Sequence, residues 1–406
     1  MAVGLSEPVN ILPVKGIELA SVACGIKKAK GKEDLVLIKL DQGSNCAATF
    51  TKNSFAAAPV IVAKRHLAQI QPRALLINSG NANAGTGEQG IQNAIESCEW
   101  VAKALHCKVE EVLPFSTGVI GESLPMNVLS KGVETVSQCL TEDNWMSAVR
   151  GIMTTDTIAK AISKQFMLGG KQVTITGIAK GSGMIHPNMA TMLAYIGTDA
   201  RVENTYLQHC LDGAVAKSFN SITVDSDTST NDACILIASG AANTALIDAH
   251  SDDAAVFARA VDEVCLHLAH AIVRDGEGAT KFISINVDTA ASLKEARDVA
   301  YTIAHSPLVK TALFASDPNW GRILAAVGNA GIKNLVAENV SIFLDDVRIV
   351  KGGCRDADYT EEAGQRVMRQ PEITIKVILG RGDVSTTIWT TDLSHDYVTI
   401  NSNYRS

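Results

Sequence analysis

The segment from Lys180 to Ile196 constrains the fold of this chain more than any other part of it. A glycine-punctuated approach and the rigid Pro187 lead to the small residue Ala190, which is followed by Thr191. The five residues after this threonine are apolar and predict a buried strand. The pattern therefore places a threonine hydroxyl at the mouth of a core strand, where side-chain packing alone does not require one.

The chemistry of this threonine depends on the peptide bond before it. A threonine hydroxyl is a weak nucleophile at neutral pH and needs a nearby base. If the bond between Ala190 and Thr191 is cut, the freed α-amine, with an ordinary pKa of about 7.7–8.0, can take the hydroxyl proton. One cleavage would then create both nucleophile and base. The local pattern by itself favours a different interpretation, an ordinary threonine at a loop-to-strand junction.

Composition and charge limit the classes of function. The 406 residues are 46% hydrophobic and 19% charged, as in a globular protein of about two domains, and the net charge of −7 argues against nucleic acid or anionic membrane as partners. No window has the ~20 apolar residues of a membrane span, and no signal peptide is evident. The nine cysteines are scattered without a C-x-x-C pair, which predicts reduced thiols in the cytoplasm and no metal site.

Apolar periodicity predicts a mixed α/β (α+β) fold in which helices cover sheets. Residues 89–105 and 252–273 have helical spacing, and residues 172–179 alternate as a strand that ends at Lys180. The last third of the chain is rich in predicted strands, the final one at residues 397–400. No internal repeat, low-complexity run or linker is evident.

Two short stretches are candidates for catalysis or binding. Ser116, Thr117 and Gly118 end an apolar run, and two donors there could form an oxyanion hole worth ~3–4 kcal/mol per donor. A simple β-turn is the interpretation that the local pattern favours. Asp275 and Glu277 stand between glycines after a predicted helix, where acids can approach a ligand amine, but solvated charges after a helix stop fit equally well.

Three further patterns carry less weight. The glycines between Gly85 and Gly90 match G-x-G-x-x-G, but seven residues separate them from the preceding predicted strand, unlike a nucleotide turn. Residues 225–232 resemble a calcium loop in composition, yet they lack the central glycine and closing glutamate, so a hydrogen-bonded turn is the better interpretation. Lys180 could be a solvated loop charge, or it could lower the pKa of a nearby amine base.

Nine motifs, in the same order from end to end, resemble those of one family. The stretch Lys180-Gly-Ser-Gly-Met-Ile-x-Pro-Asn-Met-Ala-Thr-Met-Leu is similar to the signature of the ArgJ family, the ornithine (glutamate N-) acetyltransferases of arginine biosynthesis. The other motifs are Phe50-Thr-Lys-Asn-x-Phe-x-Ala-Ala-Pro-Val, Asn78-Ser-Gly-Asn-Ala-Asn-Ala, Ser116-Thr-Gly-Val-Ile-Gly, Met153-Thr-Thr-Asp-Thr, Asp225-Ser-Asp-Thr-Ser-Thr-Asn-Asp, Asp275-Gly-Glu-Gly-Ala-Thr-Lys, Asp317-Pro-Asn-Trp-Gly-Arg and the tail from Tyr397 to Ser406.

This resemblance implies an architecture and a maturation step. The expected fold is an αββα-type layered sandwich of the DmpA- and ArgJ-like N-terminal-nucleophile kind, with a smaller C-terminal α/β region at roughly residues 285–406. The chain is expected to cut itself between Ala190 and Thr191 into an α chain (1–190) and a β chain (191–406). Both chains would contribute to one catalytic unit and assemble as an α2β2 heterotetramer.

The resemblance also implies residue roles. Thr191 is the expected nucleophile, which becomes acetylated, and Thr117 and Gly118 are the expected oxyanion hole. The positions that match the family's substrate contacts are Thr154, Lys180, Thr191, Glu277, Asn401 and Ser406.

The implied reaction is a ping-pong transfer of the acetyl group from N2-acetyl-L-ornithine to L-glutamate. It needs no cofactor, although acetyl-CoA is expected as a further acetyl donor, and no nucleic acid or membrane partner is expected. The nearest competing hypothesis is a self-cleaving N-terminal-nucleophile aminopeptidase or amidohydrolase, in which water resolves the acyl-enzyme. Two more distant hypotheses are a nicotinamide-dependent dehydrogenase and a binding protein without enzymatic activity.

Overall fold

The computed structural model of the protein describes residues 2–186 and 192–403. Ala190, Thr191 and Ser406 therefore lie outside the described residues. The chain forms two compact units: the larger contains the described residues of 7–220 and 227–272, and the smaller contains residues 2–6, 221–226 and 273–403. The division into two chains at residue 190 stays a prediction.

The larger unit contains two sheets and the helices that cover them. Its strands are β1 (Ile17–Val22), β2 (Leu35–Leu40), β3 (Asn45–Phe50), β4 (Ala74–Asn81), β5 (Val112–Val119), β6 (Lys160–Leu168), β7 (Lys171–Lys180), β8 (Leu193–Thr198) and β9 (Ala233–Ala238). Its helices are α1 (Ala58–Leu67), α2 (Gly87–Leu105), α3 (Met126–Val136), α4 (Trp145–Ile152), α5 (Asn204–Lys217) and α6 (Ala254–Arg274).

The first sheet of the larger unit has the order β1-β2-β4-β5, and the second has the order β3-β9-β8-β7-β6. Strands β4 and β5 pair in parallel, as do β8 and β9, and the other neighbours are antiparallel. β8, predicted as the buried strand after Thr191, lies inside the second sheet between β7 and β9. All six of its residues are buried.

Apolar side chains from both sheets form one core cluster, so the two sheets face each other. Phe115 of β5 and Tyr195 of β8 meet edge to face there, with ring centroids 5.4 Å apart. A second cluster packs the first sheet against α2 and α3. On the second sheet, Gly177 of β7 leaves the space that Val264 and Leu268 of α6 occupy. The layers run helix, sheet, sheet, helix, which confirms the predicted αββα fold.

The smaller unit is built on one mixed sheet with the order β13-β12-β11-β14-β10-β15, in which β10 and β14 are parallel. Its strands are β10 (Phe282–Ala290), β11 (Ser341–Leu344), β12 (Val347–Lys351), β13 (Cys354–Arg355), β14 (Glu372–Ile378) and β15 (Val384–Thr391). Its helices are α7 (Leu293–His305), α8 (Pro307–Phe314), α9 (Trp320–Gly328), α10 (Glu361–Met368) and α11 (His395–Asn403). A separate apolar cluster forms the core of this unit.

The prediction of a strand at residues 397–400 is wrong, because these residues lie in helix α11. Tyr397, Val398 and Ile400 favour a strand by residue type. However, Ser394 stands at the N-cap position, where its Oγ accepts the Tyr397 N–H at 3.4 Å and starts a helix. Val398 is 64% exposed, so no sheet covers it.

Sequence periodicity also missed β6, α8 and α10, whereas the strand at 172–179 and the helices at 89–105 and 252–273 are present within a few residues. Throughout residues 2–186 and 192–403, each helix is too short or too polar to span a bilayer.

Candidate active site

Thr117 and Gly118, the predicted oxyanion pair, lie in strand β5 and not in a β-turn. Thr117 is buried. Gly118 pairs with Gly80 of β4, and its φ of +135° is a backbone conformation that favours glycine. A Cβ at Gly118 would lie 2.7 Å from Gly80 Cα and 2.5 Å from Asn81 N. The glycine therefore permits an approach of two backbones that no side chain could accommodate.

A network of side-chain amides holds this part of β5. Ser116 Oγ donates to Asn78 Oδ1 at 2.6 Å, and Asn78 Nδ2 donates to the Asn81 carbonyl at 2.8 Å. Asn231 Nδ2 donates to the carbonyls of Ala82 at 2.7 Å and Ser116 at 2.9 Å. Three of the sequence motifs, at 78–84, 116–121 and 225–232, thus belong to one buried hydrogen-bond network, which holds Ser116 next to the predicted oxyanion pair.

Lys180, a predicted substrate contact, is a buried residue at the end of β7. It is not the solvated loop charge that the sequence allowed. The carboxyl group of Asp156 accepts hydrogen bonds from Lys160 Nζ at 2.6 Å, Gly181 N–H at 2.8 Å and Thr154 N–H at 3.0 Å. Asp156 therefore connects Thr154, another predicted contact, to the chain directly after Lys180.

Opposing effects act on the pKa of Asp156. Its complete burial by itself raises the pKa, because an ionised carboxylate is poorly solvated there. The positive charges of Lys160 and Lys180 and the hydrogen bond from Gly181 outweigh burial, and they hold the pKa well below its ordinary value. Asp156 is thus a fixed anion within a buried cluster of two cations.

A cavity of about 540 Å³ opens beside Thr154 and Asp156. Its lining residues are Glu7, Lys27, Gly31, Lys32, Glu33, Arg150, Met153, Thr154, Asp156 and Ala159. Lys27, which sequence reasoning missed, lies between this cavity and β4: a Cβ on Gly80, the residue that pairs with Gly118, would lie 3.1 Å from Lys27 Cγ. The cavity is large enough for an amino-acid substrate.

Burial lowers the pKa of Lys27 to about 8, although the charges of Asp34 and Asp156 oppose this shift. Lys27 Nζ donates to the carbonyl of Glu33 at 2.7 Å. The loop that presents it is wrapped around Asp34, whose carboxylate accepts the backbone N–H groups of residues 24–27 at 2.6–3.0 Å. The sequence does not distinguish Lys27 from the nearby lysines at positions 28, 30 and 32, so no local pattern predicts its burial.

The residue that follows Thr191 is held by a second buried carboxyl group. Asp232 Oδ1 accepts the Met192 N–H at 3.1 Å, at the beginning of β8. Burial raises the pKa of Asp232 well above its ordinary value, against the lowering effects of the Met192 N–H and the charge of Lys180. Sequence reasoning treated Asp232 only as the end of a polar turn.

The described residues contain no group of His, Cys, Asp and Glu side chains that could hold a metal ion.

Glu277 and Asn401, two predicted substrate contacts 124 positions apart, meet within the smaller unit. Asn401 Nδ2 donates to Glu277 Oε2 at 2.8 Å. Glu277 is only 8% exposed, so the interpretation as a solvated charge after a helix is wrong. Gly278 has φ +69°, and a Cβ there would lie 2.5 Å from Tyr397 N, so glycine permits α11 to approach this loop.

The G-x-G-x-x-G stretch has a structural explanation. Thr86 Oγ1 donates to Asn83 Oδ1 at 2.9 Å, and Asn83 Nδ2 donates to the Gly90 carbonyl at 2.9 Å. A Cβ on Gly90 would lie 2.7 Å from Asn83 Oδ1. Glycine at this position therefore accommodates the loop's own side chains.

Comparison with known proteins agrees with the motifs. The ArgJ family model matches residues 18–406. An arginine biosynthesis bifunctional protein ArgJ from Methylococcus capsulatus is 56% identical over 398 residues, which cover 98% of this chain and 97% of the relative. The protein of the same name from Pseudomonas fluorescens is 52% identical over 409 residues and 100% of both chains. The crystal structure of an ArgJ protein from Bacillus halodurans is 38% identical and covers 51% of this chain and 96% of that chain, with a TM-score of 0.49. The family match and the full-length relatives together show that this chain belongs to the ArgJ family.

Proposed function

We propose that the protein is a self-processing acetyltransferase that moves the acetyl group of N2-acetyl-L-ornithine to L-glutamate in arginine biosynthesis. The chain belongs to the ArgJ family, and one structural observation carries the proposal: the predicted oxyanion pair is connected by hydrogen bonds to the residue that follows Thr191. Asn231 holds the carbonyl of Ser116, the residue before Thr117, and the next residue, Asp232, accepts the amide N–H of Met192. The hydrogen bonds thus connect the oxyanion strand to the residue that directly follows Thr191.

In the first half-reaction Thr191 Oγ attacks the acetyl carbonyl carbon, and the hydroxyl proton passes to the freed α-amine of the same residue. Thr117 and Gly118 stabilise the negative charge on the carbonyl oxygen. The C–N bond to ornithine breaks as that nitrogen takes the proton, which leaves an acetyl ester on Thr191.

In the second half-reaction the amine of L-glutamate attacks the ester carbon and restores the hydroxyl, giving N-acetylglutamate. An acetyl group moves between two amines without oxidation or reduction, so no cofactor is required.

The substrate contacts remain as the sequence predicts them. Glu277 supplies a carboxylate for a substrate amine, and Asn401, which donates a hydrogen bond to Glu277, orients it. Lys180 lowers the pKa of the Thr191 amine through its positive charge. Thr154 contacts the substrate from the cavity that it lines, and Ser406 is a further contact.

We further propose that acetyl-CoA is a second acetyl donor, since the relatives are named bifunctional. Release of free thiol from acetyl-CoA in the presence of glutamate tests this, and no thiol above background excludes it. The two fragments are proposed to assemble as an α2β2 heterotetramer in the cytoplasm, where nine free cysteines would stay reduced.

Replacing Thr191 by Ala tests the central proposal. We expect one uncut chain of 43.0 kDa without transferase activity, because nucleophile and amine base are both lost. Thr191→Ser, which keeps a hydroxyl, is the control and is expected to be cut. Two fragments from Thr191→Ala would contradict the proposal. Ornithine release from acetylornithine at the same rate with and without glutamate would indicate a hydrolase.

A further inference from the structure

Asp232 has one carboxyl oxygen that the rest of the described structure does not satisfy. Its backbone is fixed, because its carbonyl accepts the Thr51 N–H at 3.0 Å. Oδ1 accepts the Met192 N–H at 3.1 Å. Oδ2 is buried and accepts no hydrogen bond of normal geometry among the described residues, although the Ser229 hydroxyl lies close enough to lower the pKa of the carboxyl group. A buried carboxylate oxygen without a donor costs free energy, so this side chain requires an explanation.

The physical state of the group follows from its surroundings. Asp232 is 1% exposed, and burial raises its pKa well above the ordinary value. The Met192 N–H, the charge of Lys180 and the nearby Ser229 hydroxyl lower it by less. Burial therefore favours the neutral, protonated form of the carboxyl group, which has a proton to donate. Oδ2 is the oxygen that is free to carry it.

The location of Asp232 indicates where that proton can go. The N–H that Oδ1 accepts belongs to the peptide bond between residues 191 and 192, one residue from the bond that self-cleavage would break. Its neighbour Asn231 donates to the carbonyl of Ser116, the residue before Thr117. Asp232 therefore stands between the strand that carries the oxyanion pair and the strand that begins after the cleavage position.

We propose that Asp232 is the proton-relay residue of self-cleavage, an inference that rests on the function proposed above. In this step a bond forms between Thr191 Oγ and the carbonyl carbon of Ala190, and the C–N bond between these two residues breaks. Asp232 donates its proton to the departing nitrogen and receives the proton of the Thr191 hydroxyl, so its own protonation is unchanged. Water then hydrolyses the ester, which leaves a carboxylate on Ala190 and restores the hydroxyl.

The Asp232→Asn variant tests the relay, because it keeps an oxygen for the Met192 N–H but cannot exchange a proton. We expect a folded chain that is cut at least ~100-fold more slowly than the wild type, the usual scale of acid–base assistance. Asp232→Ala, which also removes the acceptor, is expected to be slow as well. A purely structural role predicts instead that the two variants differ: the Asn variant would be cut like the wild type and only the Ala variant would be slow. That result would overturn the proposal.

Asp212→Asn is the matched control, since it removes an exposed carboxylate from α5 and should be cut at the wild-type rate. A wild-type chain that is not cut would contradict the proposed function itself, which separates the two failures. A second measurement does not depend on the folding of the Asn variant. In the uncut Thr191→Ala protein with isotope-labelled aspartate, infrared spectroscopy at pH 7 should show a protonated aspartic acid. Its absence would also overturn the proposal.

Discussion

At the scale of single residues, Gly118 shows how one position can determine a site. The sequence marks Thr117 and Gly118 as candidates, because two donors end an apolar run. It does not show that Gly80 lies opposite, since that pairing joins β4 and β5 across the whole of α2. The residue types and the family resemblance therefore predict the pair, and the sheet register explains why the second residue must be glycine.

Substituting Gly118 by Ala should impair both catalysis and stability. The added Cβ would collide with Gly80 and Asn81, and alanine is strained at φ +135°. We expect activity to fall by roughly 10²–10³-fold, the scale for losing an oxyanion donor, and stability to fall by about 1–3 kcal/mol. Steady-state kinetics and thermal unfolding measure the two effects.

Gly121→Ala is the control for this substitution. Gly121 also has a positive φ, of +80°, but a Cβ there meets nothing within 4 Å. This variant carries the backbone strain without the collision, so it should keep most of the activity. Equal losses in both variants would show that strain, and not the close approach of the strands, is responsible.

At the scale of elements, the connection between the end of β7 and the loop around Thr154 depends on Asp156. Asp156→Asn removes the buried anion that Lys160 and Lys180 face. Leaving buried cations without their partner typically costs about 3–5 kcal/mol, so we expect a loss of that order in the free energy of unfolding. Asp143→Asn, an exposed substitution in the same unit, should change stability little.

The pH dependence of this difference provides a second check. The folded-state pKa of Asp156 is depressed, so its ionised form contributes stability that is fully present above the ordinary pKa of 3.8. This contribution is lost as the pH falls below that value. The stability difference between wild type and Asp156→Asn should therefore shrink in acid, and a difference that stays constant from pH 6 down to the acid transition would contradict this account.

The last helix shows where element prediction failed. Residues 397–400 have strand-forming side chains, but Ser394 caps a helix there and donates to the Gly278 carbonyl at 2.6 Å. This helix brings Asn401 to Glu277, a contact that a strand with the same sequence would not have predicted. The sequence shows the capping serine, but it does not show the serine's partner on another loop.

At the scale of the whole molecule, buried Lys310 couples stability to pH. Its Nζ donates to Thr390 Oγ1 at 3.1 Å and to the Thr391 carbonyl at 2.5 Å within the smaller unit. Burial lowers its pKa from 10.5 to about 8, against the charges of Asp392 and Asp225. Between these values the unfolded chain binds more protons than the folded one, so this group's contribution to stability rises with pH.

We therefore expect the free energy of unfolding of the wild type, minus that of Lys310→Met, to increase on the order of 3 kcal/mol between pH 7 and pH 10.5. Denaturant titrations in the uncut Thr191→Ala background compare single chains. Lys294→Met is the control, because it removes a lysine whose side chain is 83% exposed. Its difference from the wild type in free energy of unfolding should stay constant over this pH range. A decrease for Lys310→Met over this range would show that the sign is wrong.

The sequence by itself determined the family and the layered α/β class, because motifs and apolar periodicity are properties of neighbouring residues. It also predicts a set of site residues, namely Thr117, Gly118, Thr154, Lys180, Glu277 and Asn401. Only the tertiary structure decided which of them meet. The contact of Glu277 with Asn401, the anion of Asp156 between two lysines, and the shifted pKa values of Lys27 and Asp232 all depend on burial and on partners far away in the chain. Charge and hydrogen-bonding energies are set by the groups that surround an atom in space, and those groups cannot be read from the residues that neighbour it in the sequence.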